Sequence, residues 1–498
     1  MNIYTARQTR SWDEYTIEHE PVSSINLMER AAHAITGELL QSKYFSRIFF
    51  IFCGPGNNGG DGLAVARMLH HLQWQVKVFI LASEKFSAGC NTNFQRLKEL
   101  SIPVKEIDGA EEFPIIPADA IVIDALFGTG LNKALGGLAA MLVLHLNQHN
   151  GELISIDVPG GLFADRSSVD NIIVKATVTL SFETPKLAFM MPENAGYVGE
   201  WKILDIGLHQ RYSQQTEAGF EMLEAPYIQS LIKPRQKFSH KYSHGHALLY
   251  AGSRGMYGAG ILCAKACLKS GVGLVSIVVE EKHLSIYQTT LPEAICITDW
   301  NNENIIIKKT AIGIGPGWAT TDDYTRITKQ VLLRRNIPMV VDASALQELS
   351  NEDIQKQLSP GTIITPHVGE FEKCFGNSTN DFERLELALQ KAKELGIFIV
   401  LKGAYTIIAT PQGKAYFNST GNAGMAKGGS GDVLTGLLTG LLAQNYSPLH
   451  ACLIGVYLHG LAGDLAAGAY TQYAMTAMDI IEKIGEAWKV LTTTIKES

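Results

Sequence analysis

The chain has 498 residues, enough for about two to four domains of ~150 residues each. Hydrophobic residues make up 46% and charged residues 18% of the sequence, which describes an ordinary soluble globular protein. The formal net charge of -7 argues against a nucleic-acid or anionic-membrane surface, so we expect small-molecule partners, with no nucleic acid and no membrane.

The cysteines and the N-terminus indicate the compartment. The seven cysteines are odd in number, lie in apolar contexts and form no CxxC pair, which favours reduced thiols and a cytoplasmic location. Residues 1–18 carry charges of both signs and no apolar core, so no signal peptide is expected. No apolar run reaches the roughly 18 residues of a membrane helix, because His459 and Asp464 interrupt the nearest candidate, 451–465.

The first half of the chain alternates predicted helices and strands. Apolar residues at helical spacing cover residues 4–40. The predicted strands that follow are 47–53, 75–81, 120–123, 152–156, 176–182 and 200–206. Continuous apolar strands separated by helices are typical of a parallel sheet covered on both faces. A doubly wound α/β domain is therefore predicted.

Three polar segments lie where predicted strands of this half end. The first is a glycine-rich turn, 54–62 (GPGNNGGDG), which precedes a predicted helix, while Asp124 and Asp157 end two further strands. Because parallel strands end at one edge of a sheet, we expect the three segments to form one site. The alternative is structural: a tight turn with Asn58 and Asp61 as helix caps, and aspartates that only cap the helices after them.

A polar segment, 209–224, marks the predicted domain boundary, with one domain at 1–222 and the other at 223–498. Before it, Lys186 follows a predicted strand and is most simply a solvated lysine. After it, three histidines follow at HxxxHxH spacing, which is a weak zinc signal and favours a substrate-facing loop. They are His240, His244 and His246.

The second half continues the alternation. Its predicted strands are 247–251, 274–279, 311–314, 339–341, 362–364 and 397–401, followed by a hairpin over 407–418. Polar or glycine-rich segments follow several of these strands, at 252–260, 315–317, 342–343 and 365–367. Their convergence on one edge is hard to explain by packing alone, so a second ligand site is predicted. A purely structural role for His367 is the alternative.

The stretch 418–432, NSTGNAGMAKGGSGD, is the most informative part of the chain. Its glycines leave room for backbone N–H groups to close on a phosphate, and the helix predicted from about Gly431 adds its positive end. Asp432 then stands where a carboxylate can take a proton from a hydroxyl that attacks a phosphoryl group. The pattern is neither a Walker loop nor a kinase glycine loop. A surface loop with Asp432 as a helix N-cap is the alternative.

Together with 402–406 (KGAYT), 365–370 (TPHVGE) and 315–317 (GPG), this loop resembles the ribokinase-like ADP/ATP-dependent NAD(P)H-hydrate dehydratases. The first half resembles the NAD(P)H-hydrate epimerases, so the whole chain resembles the bifunctional NAD(P)H-hydrate repair enzymes. The resemblance implies two doubly wound α/β domains, a Rossmann-like epimerase followed by a ribokinase-like dehydratase. It also implies ADP or ATP with Mg²⁺, K⁺, hydrated NADH or NADPH as substrate, and a homo-oligomer.

In the epimerase half, the resemblance implies that Asn58 and Asp124 hold potassium. Gly160 stands where the family has a serine ligand, so that side chain is absent. Asp157 is the candidate acid or base beside the reacting ring. The resemblance also favours a position of Lys186 facing this pocket. The residues implied to contact the hydrate are Asn57, Asn58, Gly59, Gly60, Asp61, Gly128, Thr129, Gly130, Leu131, Asn132, Lys133, Ala134 and Asp157.

In the dehydratase half, the resemblance implies that Asp432 is the general base. The residues implied to contact the hydrate are Ala259, Gly317, His367 and Asp432. Those implied to contact the nucleotide are Lys402, Gly403, Ala404, Tyr405, Thr406, Gly428, Gly429, Ser430 and Gly431. Two other functions remain open at this point: a kinase of a small hydroxylated metabolite, and an N-terminal domain that binds a dinucleotide without catalysis.

Overall fold

The computed structural model describes residues 1–40, 44, 47–300 and 302–493. The chain forms two compact units. The first unit comprises residues 2–219 with 380–382, and the second comprises Met1, 220–379 and the chain from 383 onward. Each unit has its own buried hydrophobic core.

The first unit is built on a seven-stranded sheet in which all neighbouring strands are parallel. Its strands are β1 (Phe49–Cys53), β2 (Val76–Leu81), β3 (Val104–Ile107), β4 (Ile121–Ala125), β5 (Leu153–Ile156), β6 (Val178–Phe182) and β7 (Glu200–Leu204). Their spatial order is β3-β2-β1-β4-β5-β6-β7, so the winding reverses between β1 and β4. Ligands bind doubly wound sheets at the carboxyl ends of the strands next to such a reversal.

Helices cover both faces of this sheet. They are α1 (Ala6–His19), α2 (Ser24–Leu40), α3 (Asn57–His71), α4 (Ala88–Glu99), α5 (Gly137–Leu146), α6 (Ala195–Val198) and α7 (Gln210–Gln215). Alternate side chains of β1 enter different cores: Ile51 packs in one, and Phe50 and Phe52 pack in the other. This explains the unbroken apolar run of β1 and confirms the predicted doubly wound α/β architecture.

The glycine-rich segment between β1 and α3 differs from its prediction. Helix α3 begins at Asn57 rather than at Leu63, and its N-cap is Gly56, which makes no side-chain capping bond. The interpretation of Asn58 and Asp61 as caps is therefore wrong. Glycine disfavours helices, but here the helix lies so close to the sheet that a Cβ on Gly62 would stand 2.5 Å from the Cβ of Ala125. Tertiary packing thus overrides local propensity.

The sheet of the second unit has a parallel part and a hairpin. Its strands are β8 (Phe220–Met222), β9 (His246–Tyr250), β10 (Leu274–Val278), β11 (Ile295–Ile297), β12 (Ala311–Ile314), β13 (Met339–Val341), β14 (Ile363–Ile364), β15 (Phe398–Leu401), β16 (Ile407–Ala409) and β17 (Ala415–Phe417). The order is β8-β17-β16-β15-β14-β13-β12-β9-β10-β11. Strands from β15 to β11 are mutually parallel, and β16 is antiparallel to both of its neighbours.

The helices after residue 219 are α8 (Ala225–Leu231), α9 (Tyr257–Lys269), α10 (Leu284–Thr290), α11 (Asp322–Leu332), α12 (Glu352–Gln355), α13 (Val368–Phe375), α14 (Asp381–Leu395), α15 (Ser430–Ala443), α16 (Pro448–Ala474) and α17 (Ala477–Thr492). Among the described residues, α16 alone is long and apolar enough to cross a membrane, and 72% of its most apolar window is buried inside the protein. That burial is typical of the core helix of a globular domain.

Helix α15, which follows the glycine loop, packs closely on α9. A Cβ on Gly436 would stand 2.1 Å from the carbonyl oxygen of Cys263, so the two backbones meet there with no room for a side chain. This contact fixes the position of the first turn of α15 over the carboxyl edge of the sheet.

We expect Gly436→Ala to lower the free energy of unfolding of the second unit by about 1–3 kcal/mol, because the added methyl group must push α15 away from α9. Gly485→Ala in α17 is the matched control, since nothing lies within 4 Å of a Cβ there. It should be neutral or stabilising by up to about 1 kcal/mol. Urea unfolding of both variants measures the difference, and equal stabilities would contradict the packing argument.

Candidate active sites

In the first unit, Asp124 is a fully buried carboxyl group at the end of β4. Its Oδ2 accepts hydrogen bonds from Ser155 Oγ (2.8 Å) and Gly160 N (2.7 Å), and its Oδ1 accepts one from Leu126 N (3.1 Å). Burial raises the pKa of Asp124 to about 6, against the opposing effect of these hydrogen bonds. Asp124 is therefore locked in place by strand and loop, and its hydrogen bonds are not those of a helix cap.

Asn58 brings an unsatisfied polar group to the same strand end. The residue is buried, and its Nδ2 and Oδ1 have no hydrogen-bond partner among the described residues. A buried amide without partners is costly, so this side chain is a candidate for contact with a ligand. A Cβ on Gly128 would lie 3.4 Å from Asn58 Cγ and 2.7 Å from Asp157 Oδ2, so the three residues meet in space.

Asp157 has a left-handed backbone, with φ 66°, which is uncommon for a residue with a side chain. Its Oδ2 accepts a hydrogen bond from Thr129 N (2.9 Å), and its Oδ1 accepts a long one from Ser181 Oγ (3.4 Å). The loop after β4 and strand β6 thus hold the carboxylate from two sides. Backbone strain retained at such a point is typical of functional residues.

Lys186 is not the solvated lysine that the sequence suggested. Its side chain is 1% exposed, and Nζ donates hydrogen bonds to the carbonyl oxygens of Phe182 and Thr184, each at 3.0 Å. Nζ also lies 3.7 Å from Asp157 Oδ1. The turn that follows, Leu187–Met190, is itself buried, and this apolar run was the available signal for the burial of Lys186.

Two further carboxyl groups face this site. Asp13, from α1, is half-buried. Burial and the nearby Asp157 raise its pKa to about 7, against the opposing effect of Lys186. Burial also raises the pKa of Asp61, with Asp157 and Asp13 contributing. Sequence reasoning missed Asp13, because it lies in a polar helix with no local motif.

The loop after β4 that was expected to contact the hydrate is largely on the surface. Its exposed residues are Gly130, Asn132, Lys133 and Ala134, and Leu131 is half-buried.

In the second unit, the glycine loop leads directly into α15. The N-cap is Gly429, with a left-handed φ of 94°, and Asp432 lies in the first turn. The interpretation of Asp432 as an N-cap is therefore wrong. Burial and the nearby Asp342 raise the pKa of Asp432 to about 6, against the opposing effect of Lys402. The half-buried carboxyl group thus stands beside N–H groups at the positive end of a helix.

A buried ion pair lies beneath the loop. Asp342, at the end of β13, is 1% exposed, and its oxygens accept from Lys402 Nζ (2.9 Å) and Thr435 Oγ1 (2.7 Å). Glu370 Oε2 lies 3.7 Å from Lys402 Nζ. Burial by itself lowers the pKa of Lys402. The negative charges of Asp342 and Glu370 raise it by more, so the net shift of the pKa is upward.

This network ties three segments to one edge of the sheet. A Cβ on Gly431 would lie 3.6 Å from Lys402 Nζ, which places the lysine directly under the glycine loop. The sequence singled out Lys402 and marked Asp342 only as a strand end. Thr435 was missed, although a buried threonine one turn after Asp432 is a recognisable signal.

His367 and the segment around it adjoin Lys402. Lys402 N donates to Pro366 O (2.9 Å). The His367 ring accepts a hydrogen bond from Glu370 N (3.2 Å) and so caps α13, yet the side chain remains 60% exposed. The structural role of His367 is thus real, and the ring is still available to a ligand.

Ala259 and Gly317 form the other part of the site. A Cβ on Gly317 would lie 2.7 Å from the Cβ of Ala259, so the end of β12 touches the first turn of α9. A Cβ on Gly429 would lie 2.7 Å from Leu262 Cδ1 on α9, so the glycine loop borders the same helix. In the turn after Lys402, Gly403 and Ala404 are exposed, Tyr405 and Thr406 are half-buried, and Thr406 Oγ1 donates to Gly403 O (3.2 Å).

Lys427, although within the glycine loop, faces away from this centre. Its Nζ donates to the carbonyl oxygens of Tyr473 and Met475, each at 2.7 Å. On the other side of the loop, Ser430 Oγ lies 3.4 Å from Nε2 of His459. This histidine is buried, and its burial lowers its pKa to about 4. Lys427 therefore anchors the loop to the end of α16.

Comparisons with known proteins cover both units. Residues 24–188 match the family model described as YjeF-related protein N-terminus, and residues 247–486 match the model for NAD(P)H-hydrate dehydratase. The bifunctional NAD(P)H-hydrate repair enzyme Nnr of Moorella thermoacetica is 34% identical, over 97% of this chain and 96% of that protein. The chain belongs to the bifunctional NAD(P)H-hydrate repair enzyme family.

Solved structures support the same family for the second unit. An ADP/ATP-dependent NAD(P)H-hydrate dehydratase from Bacillus subtilis, co-crystallised with ATP/Mg²⁺, is 34% identical with a TM-score of 0.50, and the match covers 54% of this chain and 98% of that one. A ribokinase-like superfamily protein from Enterococcus faecalis is 28% identical with a TM-score of 0.51, covering 55% and 98%. The predicted family membership and the ribokinase-like fold are thereby confirmed.

Proposed function

We infer that the chain is a bifunctional NAD(P)H-hydrate repair enzyme, with an epimerase domain at 1–222 and a dehydratase domain at 223–498. The observation that carries this inference is the half-buried carboxyl group of Asp432, which directly follows the glycine loop 428–431 in the first turn of α15 and lies near the Lys402–Asp342 pair. That arrangement fits phosphoryl transfer to a hydroxyl group. Full-length similarity to a bifunctional relative supports both activities.

In the dehydratase reaction, the hydroxyl oxygen of the hydrate attacks the terminal phosphorus of the nucleotide while Asp432 takes its proton. The new O–P bond forms as the bond to the nucleotide's leaving oxygen breaks. Phosphate and a ring proton then leave, which restores the dihydropyridine. Phosphorylation thus turns hydroxide, a poor leaving group, into a good one.

Each part of the second site has a role in this reaction. Amides of the Gly428–Gly431 loop stabilise charge on the transferring phosphoryl group, and residues 402–406 orient the nucleotide. Ala259, Gly317 and His367 orient the hydrate. Mg²⁺ bound with the nucleotide would neutralise phosphate charge. ADP is the preferred donor in this proposal, and NADHX and NADPHX are both substrates.

The epimerase site interconverts the two epimers, so that a stereospecific dehydratase can consume both. The hydroxyl-bearing carbon can invert if its bond to the ring nitrogen breaks and reforms. The hydroxyl proton leaves as the C=O bond forms and the C–N electron pair moves to nitrogen, and the proton returns when the nitrogen attacks the other face of the carbonyl group. Asp157 is the acid and base for that proton, because it is the carboxylate fixed beside Asn58 and Gly128. The exposed part of the 128–134 loop forms the outer wall of the pocket.

The residues at the end of β4 fit a potassium ion. Asn58 Oδ1 lacks a partner, and the fully buried carboxyl group of Asp124 would be stabilised as an anion by a cation beside it. Gly160 supplies no side-chain oxygen, and a Cβ there would stand 3.0 Å from Asp124 Oδ1. The ion would therefore be held by Asn58 and Asp124, with backbone or water oxygens in place of a serine hydroxyl.

We expect Asp124→Asn to raise the potassium concentration for half-maximal epimerisation at least about tenfold, because removal of one charge weakens cation binding and each 1.4 kcal/mol is tenfold in affinity. A potassium titration of epimer interconversion, at constant ionic strength with sodium or lithium as the balancing ion, measures the shift. Asp165→Asn in the same unit is the control. An unchanged potassium response would remove Asp124 from the ion site.

The proposed enzyme acts in the cytoplasm on small molecules. All seven cysteines are free, and all but Cys296 are buried. Burial raises the pKa of thiols such as Cys53 and Cys263, so these groups remain protonated and unreactive.

A direct assay tests the proposal. The purified chain is mixed with both epimers of NADHX, Mg²⁺, K⁺ and either ADP or ATP, and near-ultraviolet absorbance follows the regenerated NADH. Complete recovery from both epimers supports two working sites and identifies the nucleotide. Recovery of the S epimer alone contradicts the epimerase assignment. No recovery with either nucleotide, together with a persistent phosphorylated product from a small alcohol, would indicate a metabolite kinase instead.

A further inference from the structure

The ammonium group of Lys186 is enclosed within the first unit. An ammonium group has three N–H donors, and two of them reach the carbonyl oxygens of Phe182 and Thr184 at 3.0 Å. The third faces Asp157, whose Oδ1 lies 3.7 Å from Nζ. This distance is too long for a hydrogen bond, but in a site this poorly hydrated it gives a substantial Coulombic attraction.

The other contacts of Asp157 hold it without supplying charge. Thr129 N and Ser181 Oγ donate to its two oxygens, and the backbone is left-handed with φ 66°. Neutral donors of this kind fix the direction of a carboxylate. The charge that offsets its burial comes from Lys186.

Several acids compete for this ammonium group. Asp13 from α1, Asp61 from α3 and Glu183 after β6 face the same region as Asp157. Burial lowers the pKa of Lys186, and Asp157, Asp13 and Glu183 offset part of that effect. Without the lysine, Asp157 would face these acids with no cation beside it, and their repulsion would push its side chain out of place.

We propose that Lys186 is a positioning residue of the epimerase site, which holds the carboxyl group of Asp157 in place in its left-handed conformation so that Asp157 can exchange the hydroxyl proton of the hydrate. The proposal rests on the epimerase function proposed above. Lys186 acts through Asp157 rather than on the substrate, because two of its N–H groups already donate to the carbonyl oxygens of Phe182 and Thr184.

Lys186→Met tests this proposal. Interconversion of the two epimers is followed by chromatography in the absence of nucleotide, so that the dehydratase is silent. We expect kcat to fall at least about tenfold with KM within about twofold, because a displaced Asp157 slows proton exchange while the other contacts with the hydrate remain. Wild-type kcat would overturn the proposal.

A double-mutant cycle separates this role from a purely structural one. If Lys186 acts through Asp157, then Lys186→Met slows the Asp157→Asn variant by less than about twofold. If the two losses multiply, the lysine acts independently of Asp157 and the proposal is wrong. Lys186→Gln covers the case in which the methionine variant does not fold, because the amide still donates to the carbonyl groups. A glutamine variant with the wild-type rate would show that the charge is dispensable.

Two internal controls distinguish the possible failures. Conversion of the S epimer with ADP reports on the dehydratase of the same sample, and Lys175→Met removes an exposed lysine of the same unit. Both should remain at the wild-type level. A wild-type chain that does not interconvert the epimers overturns the epimerase function itself, whereas a wild-type chain that does, with an unaffected Lys186→Met variant, overturns the role of Lys186 alone.

Discussion

Replacing Asp432 with asparagine is expected to lower the rate of NADH recovery from the S epimer by about 10²–10⁴-fold. The asparagine keeps the size of the side chain but cannot accept the hydroxyl proton during phosphoryl transfer. Nucleotide affinity should change little, because the glycine loop and the segment 402–406 are untouched. Steady-state kinetics with saturating ADP and Mg²⁺ give kcat, and equilibrium binding gives the affinity.

The pH dependence provides a second test of Asp432. Burial raises its pKa to about 6, so the carboxylate is mostly protonated below that value and mostly ionised above it. The dehydration rate should therefore rise with pH through about 6 and then level off. Asp323→Asn, which changes an exposed carboxylate on α11, should keep the wild-type rate and profile. An asparagine variant at 432 with more than a tenth of the wild-type kcat would contradict the assignment of the base.

Lys402→Met is expected to destabilise the second unit by about 3 kcal/mol, because it leaves the 1% exposed carboxyl group of Asp342 without its cation. It should also abolish most of the dehydratase activity, since the lysine lies under the glycine loop. Urea unfolding followed by tryptophan fluorescence measures the stability, and NADH recovery measures the activity.

The double variant Lys402→Met/Asp342→Asn separates the two effects. It should regain most of the lost stability, because no buried charge is left unpaired, but it should remain inactive. Lys329→Met provides the control, since Lys329 and Glu348 form a more exposed pair worth at most about 1 kcal/mol. If the double variant is no more stable than Lys402→Met alone, the buried pair is not what stabilises this edge of the sheet.

The sequence predicted the central strands well because they are buried apolar runs. β1 is the clearest case: Phe49–Cys53 faces two cores, so every residue is apolar. The sequence missed β3, β8 and β11, which are short and partly exposed. Helix starts were predicted less well. α3 begins at Asn57 and α9 at Tyr257, both inside glycine-rich segments where local propensity argues against a helix and close packing against the sheet decides.

The sequence predicted those site residues that belong to a motif of consecutive residues. Asp432, Asp124 and Asp157 follow strands or glycine loops and could be singled out from the sequence. Asp13 could not, because it lies in a polar helix without a local motif. The apolar run after Lys186 signalled burial, but only the fold shows that its ammonium group meets Phe182, Thr184 and Asp157.

Because the two compact units belong to one polypeptide, the amounts of the two activities are linked. Every translated copy carries one epimerising site and one dehydrating site, so their molar ratio is fixed at synthesis and no change in gene expression alters it. The balance between the two steps is therefore set only by the turnover numbers of the sites and the supply of nucleotide. A mutation that slows one site makes that step limiting in every molecule, and a higher copy number raises both steps together.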